Sequence, residues 1–184
     1  SFGKSSHTKP QLFLYKHVGN KLKKIRTLNK NMEKIVLISC GSKKMNKRTK
    51  AKEMYQSPLF KNSLEYALKL NPNKIFILSA HYGLLDLETE IEPYDVTISN
   101  VSKQNRLKKP ELKVLNKSEK IEWGKKIIEK LATYSNIEKD VFIVLAGLEY
   151  VKPIIPYLNN VEQPLKGVGL FDRISHLKKL KNEI

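Results

Sequence analysis

The residues best able to do chemistry in this sequence are Lys44, Asp95 and His81. Lys44 closes the stretch Ser39-Cys40-Gly41-Ser42-Lys43-Lys44. A turn of small residues presents backbone N–H groups to an anion, and a lysine beside it neutralises the charge. A desolvated lysine can also shed its proton and attack a sugar C1 or a carbonyl carbon. On spacing alone, Lys43 and Lys44 equally read as solvated surface charge. The Gly-x4-Gly-Lys-Ser/Thr spacing of a P-loop is absent. A second turn, Ser79-Ala80-His81-Tyr82-Gly83, leads towards Glu92-Pro93-Tyr94-Asp95. Among the four histidines only His81 sits at a strand end, as a candidate acid or as a structural hydrogen-bonding group. A carboxylate such as Asp95 stabilises the oxocarbenium-like state of glycosidic cleavage. Tyr55, Tyr82 and Tyr94 offer ring faces to a base taken out of a duplex. Cys40 follows an apolar strand and reads as inert core more readily than as a nucleophile. No two histidines have metal-ligand spacing and there is one cysteine. No metal, no cofactor and no disulfide are therefore expected, and a reducing, cytoplasmic location is.

Three apolar runs must position these groups. Lys34-Ile35-Val36-Leu37-Ile38-Ser39, Ile75-Phe76-Ile77-Leu78 and Val141-Phe142-Ile143-Val144-Leu145 are rich in branched residues and apolar on both faces. That is the signature of buried parallel strands. Ser57-Pro58 starts a helix to about Leu70, with Ser as N-cap and Pro in the first turn. Ser118 reads as the cap of a second helix, and Phe171–Leu180 as a last one. Met45–Lys52 reads as a basic loop. The fold class expected is α/β: a three-layer sandwich with a mostly parallel sheet and helices on both faces. Ligands of such sheets bind outside the carboxyl ends of the strands. Ser39, Cys40, Gly41, Ser42, Tyr55, Ser57, Ser79, Tyr82, Gly83 and Tyr94 are thus the expected substrate-binding residues, in one pocket with Lys44, His81 and Asp95.

Charge sets a second expectation. The chain has 35 basic and 18 acidic residues, a net +17. Residues 1–52 hold 15 Lys/Arg and one acid, +14, against 20 and 17 in residues 53–184, +3. A Lys-favouring codon bias would raise lysine everywhere without clearing acids from the front. A nucleic-acid partner follows, DNA in preference to RNA. Lys21, Lys23, Lys24, Arg26, Lys43, Lys47 and Arg48 are the expected backbone contacts. Residues 1–33 form a basic N-terminal extension, with strand-like runs around Gly19-Asn20 predicting a β-hairpin, and residues 34–184 form the α/β domain. No run of 18 apolar residues exists, so no membrane partner is expected, and no signal peptide is visible. The carboxylates Asp86, Glu88, Glu90, Glu92 and Asp95 either balance local charge or serve the site.

Three blocks together resemble the YaaA-like superfamily. They are Ser39-Cys40-x3-Lys44 with Tyr55-x-Ser57-Pro58-Leu59-Phe60, Leu78-Ser79-Ala80-His81-Tyr82-Gly83-Leu84-Leu85 with Pro93-Tyr94-Asp95, and Ala146-Gly147-x2-Tyr150. The likeness covers about Lys34 to Asp172. It extends more distantly to the catalytic core of archaeosine synthase, where a lysine attacks a deazaguanine base in transfer RNA. Lys44 holds the matching position, followed here by Met45-Asn46 rather than Pro-Tyr, and Asp95 stands where the superfamily's namesake has Arg. The resemblance implies a fold like the uracil-DNA glycosylases and a nucleic-acid base as target. The function expected is a nucleic-acid-directed enzyme on a nucleobase or its glycosidic bond, of glycosylase-like hydrolase or base-transferase type. The alternatives are a non-catalytic DNA-binding protein of stress response or DNA protection, and an enzyme of free nucleotides.

Overall fold

The computed structural model describes residues 14–18, 21–25 and 31–184, and the chain divides into two units, Ser1–Asn31 and Met32–Ile184. In the first unit β1 (Leu14–Val18) pairs antiparallel with β2 (Lys21–Ile25), Leu14 opposite Ile25 and Val18 opposite Lys21. This is the expected hairpin. Its turn residues Gly19 and Asn20, the 1–13 tail and Arg26 lie outside the described residues.

The second unit begins with β3 (Lys34–Ser39), whose residues Ile35 to Ile38 are fully buried. After β4 (Thr49–Lys50) and α1 (Ala51–Met54), α2 (Pro58–Lys69) starts where the sequence predicts: the Ser57 side chain accepts from the Phe60 N–H. Next come β5 (Lys74–Ser79), β6 (Gly83–Asp86), β7 (Glu90–Ile91), β8 (Val96–Thr97) and α3 (Lys103–Lys108). The chain continues with β9 (Lys113–Val114), α4 (Lys117–Tyr134), β10 (Val141–Leu145), α5 (Leu148–Val151), β11 (Asn160–Glu162) and α6 (Arg173–Asn182).

The central sheet has the order β11-β10-β3-β5-β6; all pairings are parallel except that of β6 with β5. Ile38 lies opposite Ile77 on one side and Leu145 on the other. Alternation sends Ile35, Leu37, Phe76 and Phe142 into one core with Ile127 and Leu131 of α4 and Val151 of α5. It sends Val36, Ile38, Ile77 and Leu145 into the other with Met54, Phe60, Ala67 and Leu177. Helices therefore cover both faces, which is why these strands carry no polar face. From β3 the chain crosses to β5 on one side; from β10 it crosses to β11 on the other. The carboxyl ends of β3 and β10 thus flank a topological switch point.

Two local readings are corrected, and two others are made specific. The cap of α4 is Asn116, not Ser118: Asn116 accepts from the Glu119 N–H while Glu119 accepts from the Asn116 N–H. That reciprocal pair satisfies two otherwise free donors, which a lone serine inside the first turn cannot do. The basic stretch Met45–Lys52 is not a plain loop, because β4 pairs antiparallel with β7. Gly83, at φ 74°, turns the chain into β6, a conformation that glycine adopts without steric cost. In the acidic segment, local charge balance holds for Glu88 and Glu90. Arg48 pairs with Glu90 at 3.1 Å and Lys50 with Glu88 at 2.8 Å, with Lys52 also on Glu88. The two ammonium groups hold the Glu88 carboxyl down at about 2.

Gly124 marks a close approach of α4 to the segment after α5. A Cβ there would lie 2.5 Å from the Pro153 carbonyl oxygen. Alanine normally favours a helix over glycine by about 1 kcal/mol, but here the collision is with backbone. Gly124→Ala is expected to cost a net ~1–3 kcal/mol, read from urea midpoints. An unchanged or higher midpoint would contradict this packing.

Candidate active site

Ser79, fully buried at the end of β5, organises the site. Its hydroxyl accepts from the N–H groups of Tyr82 (2.9 Å) and His81 (3.3 Å) and donates to the Tyr94 hydroxyl at 2.8 Å. The turn is therefore wound around one oxygen. The Ser79 carbonyl accepts from the indole N–H of Trp123 on α4 at 2.8 Å. Tyr94 is thereby tied to the sheet, and its hydroxyl also pairs with that of Tyr55 at 2.8 Å. Across the carboxyl ends, the Cys40 thiol meets the Tyr150 hydroxyl at 3.1 Å. Burial pushes Tyr55, Tyr94 and Tyr150 well above the ordinary tyrosine value, so all three are neutral phenols near neutrality.

Lys44 lies over this platform, its Nζ 4.4 Å from the centre of the Tyr94 ring. Its backbone is held by a bridge to Tyr55 and by flanking bonds, Gln56 N–H to Lys43 O and Met45 N–H to Met54 O, both 2.8 Å. Half-buried, it has no carboxylate within 4.0 Å among the described residues. Burial pulls its pKa below the ordinary 10.5 and the Lys109 charge adds to the lowering, while the Asp95 charge acts the other way. The aromatic face remains as the ammonium's partner. His81 stacks on the same ring, with centroids 5.1 Å apart and planes at 27°, and meets Tyr82 edge-on at 4.6 Å.

The lowered pKa makes a stability prediction. Below 10.5 and above its folded value, Lys44 binds fewer protons folded than unfolded, so stability rises with pH through that window. The difference in urea midpoint between the wild type and Lys44→Met is expected to shift in favour of the wild type as pH climbs towards 10.5. A difference independent of pH would contradict it.

The expected pocket is divided. Lys44, Tyr94, His81 and Tyr82 form one cluster, with Asp95 exposed at its rim and near enough for its charge to act on Lys44. Ser39, Cys40, Gly41 and Ser57 line a separate small crevice at the switch point. Tyr55 is 1% exposed and Ser79 fully buried, so neither can touch a substrate; both support Tyr94 instead. Tyr55 in particular has no ring face to offer a base. Tyr82 is partly exposed, its hydroxyl bonded to both backbone groups of Glu92. Ser42, Lys43 and Lys47 are exposed, while Arg48 is engaged by Glu90. Of the extension's lysines, Lys21, Lys23 and Lys24 lie on β2. The residues that sequence reasoning did not assign to the site are Trp123, Tyr150, Ser63 and Arg173. Only Tyr150 had a signal, as the last residue of the third resemblance block.

Beside His81 and Tyr82 runs a groove of about 500 Å³, bounded by Trp123, by Lys113, Lys126 and Lys130, and by Glu119 and Glu122, which pair with Lys113 at 2.9 Å and with Lys126 at 3.9 Å. That volume is within the range of small-ligand clefts. A groove of about 520 Å³ near Asn73 and Thr89 holds none of the reactive groups. Among the described residues no cluster of His, Cys, Asp and Glu could hold a metal ion, and no helix is long and apolar enough to cross a membrane.

Residues 35–179 match a family model described as a family of unknown function (DUF6884). No curated protein and no solved structure matches the chain significantly.

Proposed function

The chain belongs to the DUF6884 family, a family of unknown function, and on the chemistry of the site we propose a nucleic-acid-directed enzyme acting on a nucleobase or its glycosidic bond. The observation that carries this reading is the Lys44 amine: half-buried, without a close carboxylate among the described residues, its pKa lowered, and fixed over a ring. A surface lysine has no reason to be so placed; a nucleophilic lysine does. In the proposed step the neutral Nζ attacks C1′ of the target nucleotide. The C1′–base bond breaks, and the base leaves with the electron pair and a proton, for which His81 is the candidate donor. A proton on the nitrogen passes to O4′ as the C1′–O4′ bond breaks and the ring opens to an imine, which water hydrolyses to the sugar aldehyde and the free amine. Asp95 supports the positive charge developing at C1′. Tyr82 and His81 flank the base. The parallel sheet with its site at the carboxyl ends supports the likeness to the YaaA-like superfamily and to uracil-DNA-glycosylase folds.

The test is incubation with DNA and RNA carrying modified and damaged bases, scored by mass spectrometry. Release or alteration of one base class is expected, on DNA first. Tight binding with no altered base across the panel would favour a non-catalytic DNA-binding protein.

The basic extension supplies a separate prediction. Removing residues 1–33 deletes eight positive charges, Lys4, Lys9, Lys16, Lys21, Lys23, Lys24, Arg26 and Lys30, and one negative, Glu33. The salt slope of DNA binding drops by about 0.9 for every phosphate that is no longer neutralised, so the slope should fall by several units. Unchanged affinity and slope would show that the grip lies elsewhere.

A further inference from the structure

We infer that the crevice at the switch point between β3 and β10 is a binding site for a phosphoryl oxyanion, distinct from the Lys44 site. It is lined by Gly41, Ser57, Leu59, Ser63, Gly147 and Arg173 and has a volume of about 40 Å³. A water-sized sphere needs roughly 10–15 Å³ by this measure, so the space suits about three oxygens, the face of one phosphoryl group. Neither Lys44, Tyr94 nor Asp95 lines it.

Four observations converge there. The first is the amino end of α2, twelve residues long, whose first turn is part of the wall. Ser57 takes the Phe60 N–H, while the Leu59 N–H meets no protein acceptor among the described residues. Free donors and the helix dipole both favour an anion at that point. The second is Arg173. Its Nε donates to the Val168 carbonyl at 3.2 Å, and among the described residues the guanidinium forms no ion pair, not even with neighbouring Asp172. Its Nη1 lies against Gly147, where a Cβ would come within 3.3 Å. A half-buried guanidinium with unused donors is matched by a phosphoryl group, which accepts two of them at once.

The third is Ser63, on the second turn of α2. It is 2% exposed and forms no hydrogen bond among the described residues. No described side-chain polar atom is both sealed and unpaired, so its hydroxyl opens onto the crevice that it lines. A buried serine hydroxyl facing a cavity without a protein partner marks the place of a ligand oxygen. The fourth is Gly41, where a Cβ would stand 2.7 Å from the Ser57 hydroxyl oxygen. Any larger residue would push the cap of α2 and close the opening.

The phosphoryl group can be free phosphate or the terminal phosphate of a strand. Amide NMR of the full chain separates the sources, with inorganic phosphate in one titration and 5′-phosphorylated or 5′-hydroxyl oligothymidylate in others. The Gly41, Leu59 and Gly147 amides are expected to shift saturably. Saturation with inorganic phosphate alone identifies the free anion, and saturation that requires the 5′-phosphorylated strand identifies a strand end. Binding should weaken about tenfold or more in Arg173→Ala and measurably in Ser63→Ala, whose small change keeps the helix intact. Lys44→Ala should bind inorganic phosphate at these amides as the wild type does. The proposal is overturned if no probe saturates these amides, or if Arg173→Ala and Ser63→Ala, folded by the same spectra, bind as the wild type does. Failure here leaves the Lys44 reading standing, and the reverse also holds.

Discussion

Lys44→Ala is expected to release no base above background, while its unfolding midpoint stays near that of the wild type. The amine is the nucleophile in the proposed step, so its loss leaves that step without its attacking group. Its removal takes away one contact with the Tyr94 ring and no residue of either hydrophobic core. Asp95→Asn should retain the fold and lose on the order of 10²-fold in rate, the scale of removing one electrostatic contact to a developing charge. The wild-type rate should rise with pH to an apparent pKa below 10.5, since burial pulls the Lys44 amine down. Full activity in Lys44→Ala would place the chemistry elsewhere.

Trp123→Ala is expected to produce the largest loss of stability of any single change near the site. Trp123 is 7% exposed and packs edge-on against Tyr150, with centroids 5.8 Å apart. Truncating a buried aromatic of this kind costs about 3–5 kcal/mol. The substitution also removes the only side-chain donor to the Ser79 carbonyl among the described residues. Trp123→Phe separates the two contributions: it keeps most of the apolar contact and loses the hydrogen bond, for about 1–3 kcal/mol. Because Ser79 positions Tyr94, Trp123→Phe should also reduce activity while remaining folded. Urea denaturation and base release on the same preparations check both parts. A Phe variant with wild-type activity would mean that the Ser79 turn holds its shape without the indole.

The strands at Ile35, Ile75 and Val141 were legible because burial on both faces leaves an uninterrupted apolar run. The start of α2 was legible because Ser57-Pro58 has one use in a backbone of this kind. The strand β6 was not, since Leu84-Leu85 after a glycine looks like the exit of a turn; only the pairing of Ser79 with Gly83 shows that the chain doubles back. The alternative of local charge balance proved correct for Glu88 and Glu90, whose partners lie some 40 residues away in sequence. Ser79, Tyr55 and Tyr94 were legible as a group near a strand end. Their division into support and surface was not, because burial is decided by α2 and α4 packing from opposite faces. Arg173 and Ser63 carry no local pattern, and only the crossing of α6 and α2 at the switch point brings them together.

The central claim, that the Lys44 amine is the reactive group, is tested most directly by trapping its imine. The wild-type chain is incubated with the DNA whose base it releases, in the presence of borohydride, and the covalent adduct is digested and sequenced by mass spectrometry. The account predicts a reduced sugar adduct on Lys44, absent from Lys44→Ala. Base release with an adduct on another amine, or with no adduct at all, would contradict it.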